Sequence, residues 1–201
     1  MEPLTGNILA IYDSSDAETR RAGAEWYAVA HDDCAALARD LGLPAISVIG
    51  AAAAISPGMR WSLTIAHVGM LHKAMRNRQR HVVPTYRALF TARARAILRG
   101  ELPEDVLRGP KVIAFYRSIR ARGDCSDVVV DGHAWNIALG TIGPIRNNVT
   151  APRLTDRRYR TCAELYRQAG AARGVTAGAM QATTWIQHRA LKGLDKRQNA
   201  R

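Results

Sequence analysis

The residues best able to do chemistry lie in one short stretch, Asp127-Val-Val-Val-Asp131-Gly-His133-Ala-Trp135-Asn136-Ile137. An apolar run delivers Asp131 to the start of a helix, where free backbone N–H groups and the helix dipole favour its anion. The result is either a fixed catalytic carboxylate or a helix N-cap, a position that Asp also favours. His133 reads more readily as a packing or hydrogen-bonding residue than as a general base, and no second ligand at a suitable spacing makes it a metal site. Lys111, just after Gly109-Pro110, is either a chemical amine or a surface lysine on a helix's first turn. Trp61, Trp135 and Trp185 suit the core or its edge, and one of them could stack on an extruded base. Asn136 and Gln181, polar among apolar helical neighbours, are satisfied core amides or base-edge readers, the first reading being favoured for both.

These residues need helices to position them. Asp16 can cap a helix running to about Asp40, because Trp26, Ala30, Cys34, Leu37 and Leu41 recur at helical spacing, and Gly42 and Pro44 end it. The run 45–55 is small and apolar on all sides, which suits a helix buried centrally. Ser56-Pro57-Gly58 stops it with a turn. Helices are then expected at about 62–75, 84–99 and 111–121, with a loop over 101–110. Val128–Val130 is the one strand-like stretch, leading into the helix that holds Ala134 to Leu139. Residues 140–152 are turn-rich, helices follow at about 156–173 and 176–191, and the tail 192–201 is basic and expected to fray. The organisation is an N-terminal segment over 1–15, an all-α domain over 16–191 and the tail, with the domain formed as one body or as two closely packed helical lobes.

Composition supports one partner class. Lys and Arg number 29 against 17 Asp and Glu, a formal net charge of +12, which points to a polyanion. No carboxylate occurs from Leu41 through Gly100, where Arg60, Lys73, Arg76, Arg78, Arg80, Arg87, Arg93, Arg95 and Arg99 all fall. Phosphate backbones bind such surfaces by releasing counterions; a solvated face on a merely basic protein is the alternative. The 3 cysteines are widely separated, so neither a disulfide framework nor a zinc or iron–sulfur spacing is present. No metal or cofactor is expected. With no cationic leader and no apolar run near the ~20 residues that span a bilayer, the expected compartment is the cytoplasm.

The stretch Arg108-Gly-Pro-Lys-Val-Ile-Ala-Phe-Tyr-Arg-Ser-Ile119, followed by Asp127 to Ile137, resembles endonuclease III and its helix-hairpin-helix DNA glycosylase relatives. In that family a Gly-rich hairpin ending in a lysine starts a helix, and an apolar run later delivers Val-Asp-x-His. Gly109 and Lys111 match the hairpin's last glycine and its lysine, Val130-Asp131-Gly132-His133 matches the Asp motif, and Ala54-Ile-Ser56-Pro57 stands where a Ser-x-Gln turn would. The likeness covers about 45–139. Two departures are a hairpin reduced to Leu107-Arg-Gly-Pro110 and the missing four-Cys iron–sulfur loop. Over about 22–189 the chain also looks like a family of phage proteins, through Trp26-Tyr27-Ala28-Val29-Ala30, Ser56 to Trp61, Val129 to Ala134 and Gln181 to Trp185. Glycosylase-like phage proteins of this kind are associated with thymine hypermodification, including amino acid:DNA transferases that act on pyrophosphorylated 5-hydroxymethyluracil.

The resemblance implies a glycosylase-like helical fold and a DNA base-modifying enzyme, most concretely such a transferase, with catalytic Asp131, Lys111 and His133. Asp131 would take a proton from an incoming amine while Lys111 and nearby arginines hold the departing pyrophosphate. DNA would be held by Ser56, Arg60, Trp61, Arg76, Arg78, Arg80, Gly109 and Asn136, and the substrate pocket would include Gln181 and Trp185. The implied partners are double-stranded DNA with a modified thymine and a free amino acid. The alternatives are a DNA N-glycosylase, with or without lyase chemistry at Lys111, and a non-catalytic DNA-binding module.

Overall fold

A computed structural model of the chain describes residues 2–79, 88–141 and 154–193. Among the described residues the fold is all-α, with helices and no strand. The chain divides into two compact units, Met1–Tyr27 with Gly123–Arg201, and Ala28–Arg122. Helix α2 (Ala17–Leu41) gives its first turns to the former and the rest to the latter.

The unit made from the chain's ends also holds α1 (Thr5–Asp13), α8 (Gly132–Ala138), α9 (Asp156–Arg173) and α10 (Ala177–Leu191). Short polar side chains start α2, α8 and α10 by accepting from otherwise unpaired N–H groups. Asp16 accepts from Thr19 at 2.7 Å, Asp131 from Ala134 at 2.9 Å and Thr176 from Ala179 at 3.1 Å. Gly174 ends α9 at φ 66, the left-handed conformation that glycine adopts without strain. Ile8, Val130, Ile137, Tyr166 and Met180 meet in the core.

Helix α1 is a correction to the sequence reading, which assigned no element to 1–15. Its start has no side-chain cap and only Ile8 and Tyr12 are buried, so the local signal is weak. Tertiary contacts fix it instead. The Leu4 N–H and the Asn7 side-chain amide both donate to the Ala138 carbonyl, at 2.8 and 2.9 Å. The strand-like Val128–Val130 is buried but forms no strand. Tyr159 supplies what a neighbouring strand would: its hydroxyl donates to the Val128 carbonyl at 2.6 Å and accepts from the Val130 N–H at 3.3 Å.

The other unit is built around α3 (Ala45–Ile55), which packs on α4 (Trp61–Arg76), α5 (Ala88–Leu98), α6 (Pro103–Val106) and α7 (Pro110–Arg120). Val48 through Ile55 are all buried, as the all-round apolar run requires. Helix α6 falls inside the expected 101–110 loop; Pro103 at its first position presets the backbone for one turn and is itself buried. The start of the helix expected at 84, most of 140–152 and the tail from 194 lie outside the described residues. Among the described residues no single helix is long and apolar enough to cross a membrane.

Candidate functional site

Asp131 is the N-cap of α8, and its extended backbone turns one carboxylate oxygen back onto the Ala134 N–H. Two residues on, His133 is 8% exposed and its Nδ1 lies 3.2 Å from Nδ1 of His188, which is 1% exposed, near the end of α10. The other nitrogen of His188, Nε2, is 3.3 Å from the Thr141 carbonyl. Thr141 is held in turn by its N–H and hydroxyl, which both donate to the Asn136 carbonyl.

This chain fixes the tautomers. A carbonyl only accepts, so His188 carries its proton on Nε2. Burial, then Lys192, push the His188 pKa down to about 4, with His133 acting the same way and the Thr141 bond and Asp131 opposing. His188 is therefore neutral near pH 7 and its Nδ1 is bare. The His133 Nδ1–H donates to it, so Nε2 is the His133 nitrogen left for any further partner. The Asp131 charge also acts on Lys192, a half-buried amine whose pKa burial lowers and Asp131 raises. Trp185 meets the His133 ring edge to face at 6.0 Å, and the Arg189 guanidinium lies 4.7 Å from the Trp185 ring centroid. One carboxylate, two histidines and two cations thus gather where α8 meets the last turns of α10. Such a cluster can relay a proton or seat a charged amine.

His188, Thr141 and Lys192 escaped the sequence reading. A signal existed: Gln181, Trp185, His188 and Lys192 recur at four, three and four residues, one face of a helix. Gln181 itself is a core amide, buried, accepting from the Tyr27 hydroxyl at 2.9 Å. Asn136, 1% exposed inside α8, cannot present its amide to a base edge, so its assignment as a DNA contact is withdrawn.

The remaining sequence candidates belong to the other unit. Lys111 is half-buried in the first turn of α7, behind Pro110 and behind Gly109, whose φ of 88 is the reason for a glycine there. The Ser56 hydroxyl donates to the Ala53 carbonyl at the end of α3. Trp61, half-buried, gives its indole N–H to Asp33 at 2.7 Å and its ring meets Phe115 edge to face. Arg60, Arg76 and Arg78 are exposed, and Arg80 lies outside the described residues. Burial pushes the Cys34 and Cys162 thiols up to about 12, with Asp33 and Asp131 adding to it, so both are inert as nucleophiles. Among the described residues no three His, Cys, Asp or Glu side chains group closely enough to hold a metal ion.

No curated protein and no solved structure matches the chain. A family model does match, over residues 1–192, and the chain belongs to that family, described as a family of unknown function (DUF7178).

Proposed function

We propose that this protein is a DNA base-modifying enzyme with a glycosylase-like helical fold, whose proton-transfer centre is Asp131 with His133. The observation that carries the reading is the hydrogen-bonded chain from the Thr141 carbonyl through His188 to the buried His133, two residues after Asp131. Supporting the DNA partner are the +12 net charge and the exposed Arg60, Arg76 and Arg78 in and beside α4. Supporting the glycosylase likeness is a serial order: the short helix α6, a turn through Gly109, Lys111 in the first turn of α7, and then Asp131 capping α8.

The most concrete form is an amino acid:DNA transferase. The neutral amine of a free amino acid attacks the methylene carbon of pyrophosphorylated 5-hydroxymethyluracil, the C–N bond forms as the C–O bond breaks, and pyrophosphate leaves with the electron pair. The resulting ammonium loses one proton, which Asp131 or Nε2 of His133 accepts. The centre needs no resident cofactor for this step.

The test treats hydroxymethyluracil DNA with a hydroxymethyluracil DNA kinase, this protein and mixed amino acids, followed by mass spectrometry of the nucleosides. A new nucleoside with the mass of an added amino acid, reduced ~100-fold or more in Asp131→Asn, is the expected result. Unchanged turnover in Asp131→Asn overturns the reading. A borohydride-trappable DNA adduct that disappears in Lys111→Ala would establish the lyase form of a glycosylase instead.

A further inference from the structure

A cavity of about 470 Å³ opens where α4 and α5 end, and the side chains of Arg76, Arg78, Arg95 and Arg99 line it. Met75 and Leu98 give it an apolar flank. No carboxylate is among its lining residues, and the sequence has none from Leu41 through Gly100. Two local features bear on how these residues reach one lining. Arg95 and Arg99 stand four residues apart at the end of α5 and share a face. Arg78 follows α4 with a left-handed backbone, φ 54, which non-glycine residues adopt infrequently. His72 is also in the lining, and burial first, then Arg76, hold its pKa below the ordinary histidine range.

Like charges around one volume raise one another's energy, and an anion of matching charge relieves it. Guanidinium forks suit phosphate oxygens above all, because two N–H donors meet two oxygens in a plane. An internal phosphodiester carries a single charge and belongs to a row, so a linear array of cations would serve it. Several arginines around one volume suit a group of higher charge. The volume falls in the range of about 300–1,000 Å³ usual for small-molecule sites, and Met75 and Leu98 can take an apolar portion such as a base. We propose that this cavity binds a nucleotide-sized ligand through a phosphate group bearing two or more negative charges, supplied either by a free phosphate compound or by a DNA 5′ end. The site uses neither Asp131 nor His133, so it stands or falls separately from the chemistry proposed for them.

The test measures binding of inorganic pyrophosphate, and of one short duplex with 5′-phosphate or 5′-hydroxyl ends, at constant ionic strength. Wild-type protein is compared with Arg76→Gln, Arg99→Gln and the control Arg160→Gln, an exposed arginine of α9. Thermal melts verify that each variant is folded. The expected result is saturable binding of one pyrophosphate, weakened about tenfold or more by either cavity variant and less than about twofold by the control, as loss of a charge-assisted pair implies. Arginine-dependent preference for the 5′-phosphorylated duplex, without pyrophosphate binding, assigns the ligand to DNA ends. Equal binding of the two duplexes with no pyrophosphate binding, or cavity variants that bind as wild type does, overturns the proposal.

Discussion

The two units treat their ionisable groups in opposite ways. In the unit built from the chain's ends, Asp131, His133, His188 and Lys192 are buried or half-buried, and burial together with the neighbouring charges lowers the pKas of His188 and Lys192. In the unit formed by Ala28–Arg122, Arg60 stands at the surface, and the exposed Arg76, Arg78 and Arg99 stand around a cavity with no carboxylate in its lining. Burial makes a charge depend on its partners, which proton transfer exploits. Exposure leaves it permanent and available, which anion binding exploits. The segment 28–122 is thus read as a binding unit and the remainder as a chemical one.

The sharpest way to break that division is salt. If six or more phosphates are neutralised, affinity for duplex DNA falls roughly a thousandfold or more between 50 and 200 mM salt, and each phosphate-contacting arginine removed lowers the slope by about one. Arg60→Gln, Arg76→Gln and Arg99→Gln should each reduce the slope measured by fluorescence anisotropy, while Asp131→Asn leaves it unchanged. A flat response removes DNA as the partner.

The next effect belongs to the chemical unit. The folded-state pKa of His188, about 4, lies below the ordinary 6.5, so the unfolded chain binds more protons between those values. Stability then rises with pH across that window, and the neutral histidine's protection is lost as pH falls through it, by about 3 kcal/mol in all below pH 4. His72 acts in the same direction. Asp13, Asp16, Asp32 and Glu104 have lowered pKas, and their contributions are lost as pH falls from their ordinary carboxylate range through the folded values, adding to the slope at the acid end. Urea unfolding at pH 4 to 7 should show the slope in wild type and a shallower one in His188→Gln. Equal slopes would remove His188 as the buried proton-sensitive group.

Packing gives a comparison of intermediate size. Gly→Ala inside a helix ordinarily gains about 0.5–1 kcal/mol, and Gly6, with open space around it, should show that gain. At Gly50 a Cβ would lie 2.6 Å from the Pro103 ring and 3.2 Å from Ile97, and at Gly23 it would overlap the Thr183 backbone as well as its side chain. Both substitutions should therefore destabilise, by about 1–3 kcal/mol as overpacking does, with Gly23→Ala the worse because backbone yields less than a ring. Thermal melts that rank Gly23→Ala as neutral would contradict the close approach of α2 and α10.

Legibility in the sequence followed how local each determinant is. The ends of α2, α3 and α9 were readable because Asp16, Gly42-Leu-Pro44, Ser56-Pro57-Gly58 and Gly174 act on their own neighbours. The N-cap role of Asp131 was readable for the same reason. Helix α1 was not, since carbonyl contacts more than a hundred residues away hold it, and α6 was too short for periodicity to register. Val128–Val130 has a strand's composition, but its hydrogen bonds go to the phenol of Tyr159, 31 residues from Val128. The His133–His188 pair spans 55 residues, so each histidine looked isolated until α8 and α10 met.

The smallest effect separates the two roles that Asp131 combines. As a cap, it satisfies the Ala134 N–H, and Asp131→Ala should lower stability by about 1 kcal/mol because that donor loses its partner. Asp131→Asn retains a side-chain oxygen of nearly the same reach, and Asn caps helices as well as Asp does, so its melting temperature should stay within a degree or two of wild type, the Ala variant falling by roughly 2–4 °C for a chain of this size. If the carboxylate served only the cap, the two variants would rank in turnover as they rank in stability. If it also handles a proton, the order splits: Asn, nearly as stable as wild type, is as inactive as Ala. Calorimetry and turnover measured on the same three proteins decide between them, and a stable, fully active Asp131→Asn would leave the helix cap as the residue's whole purpose.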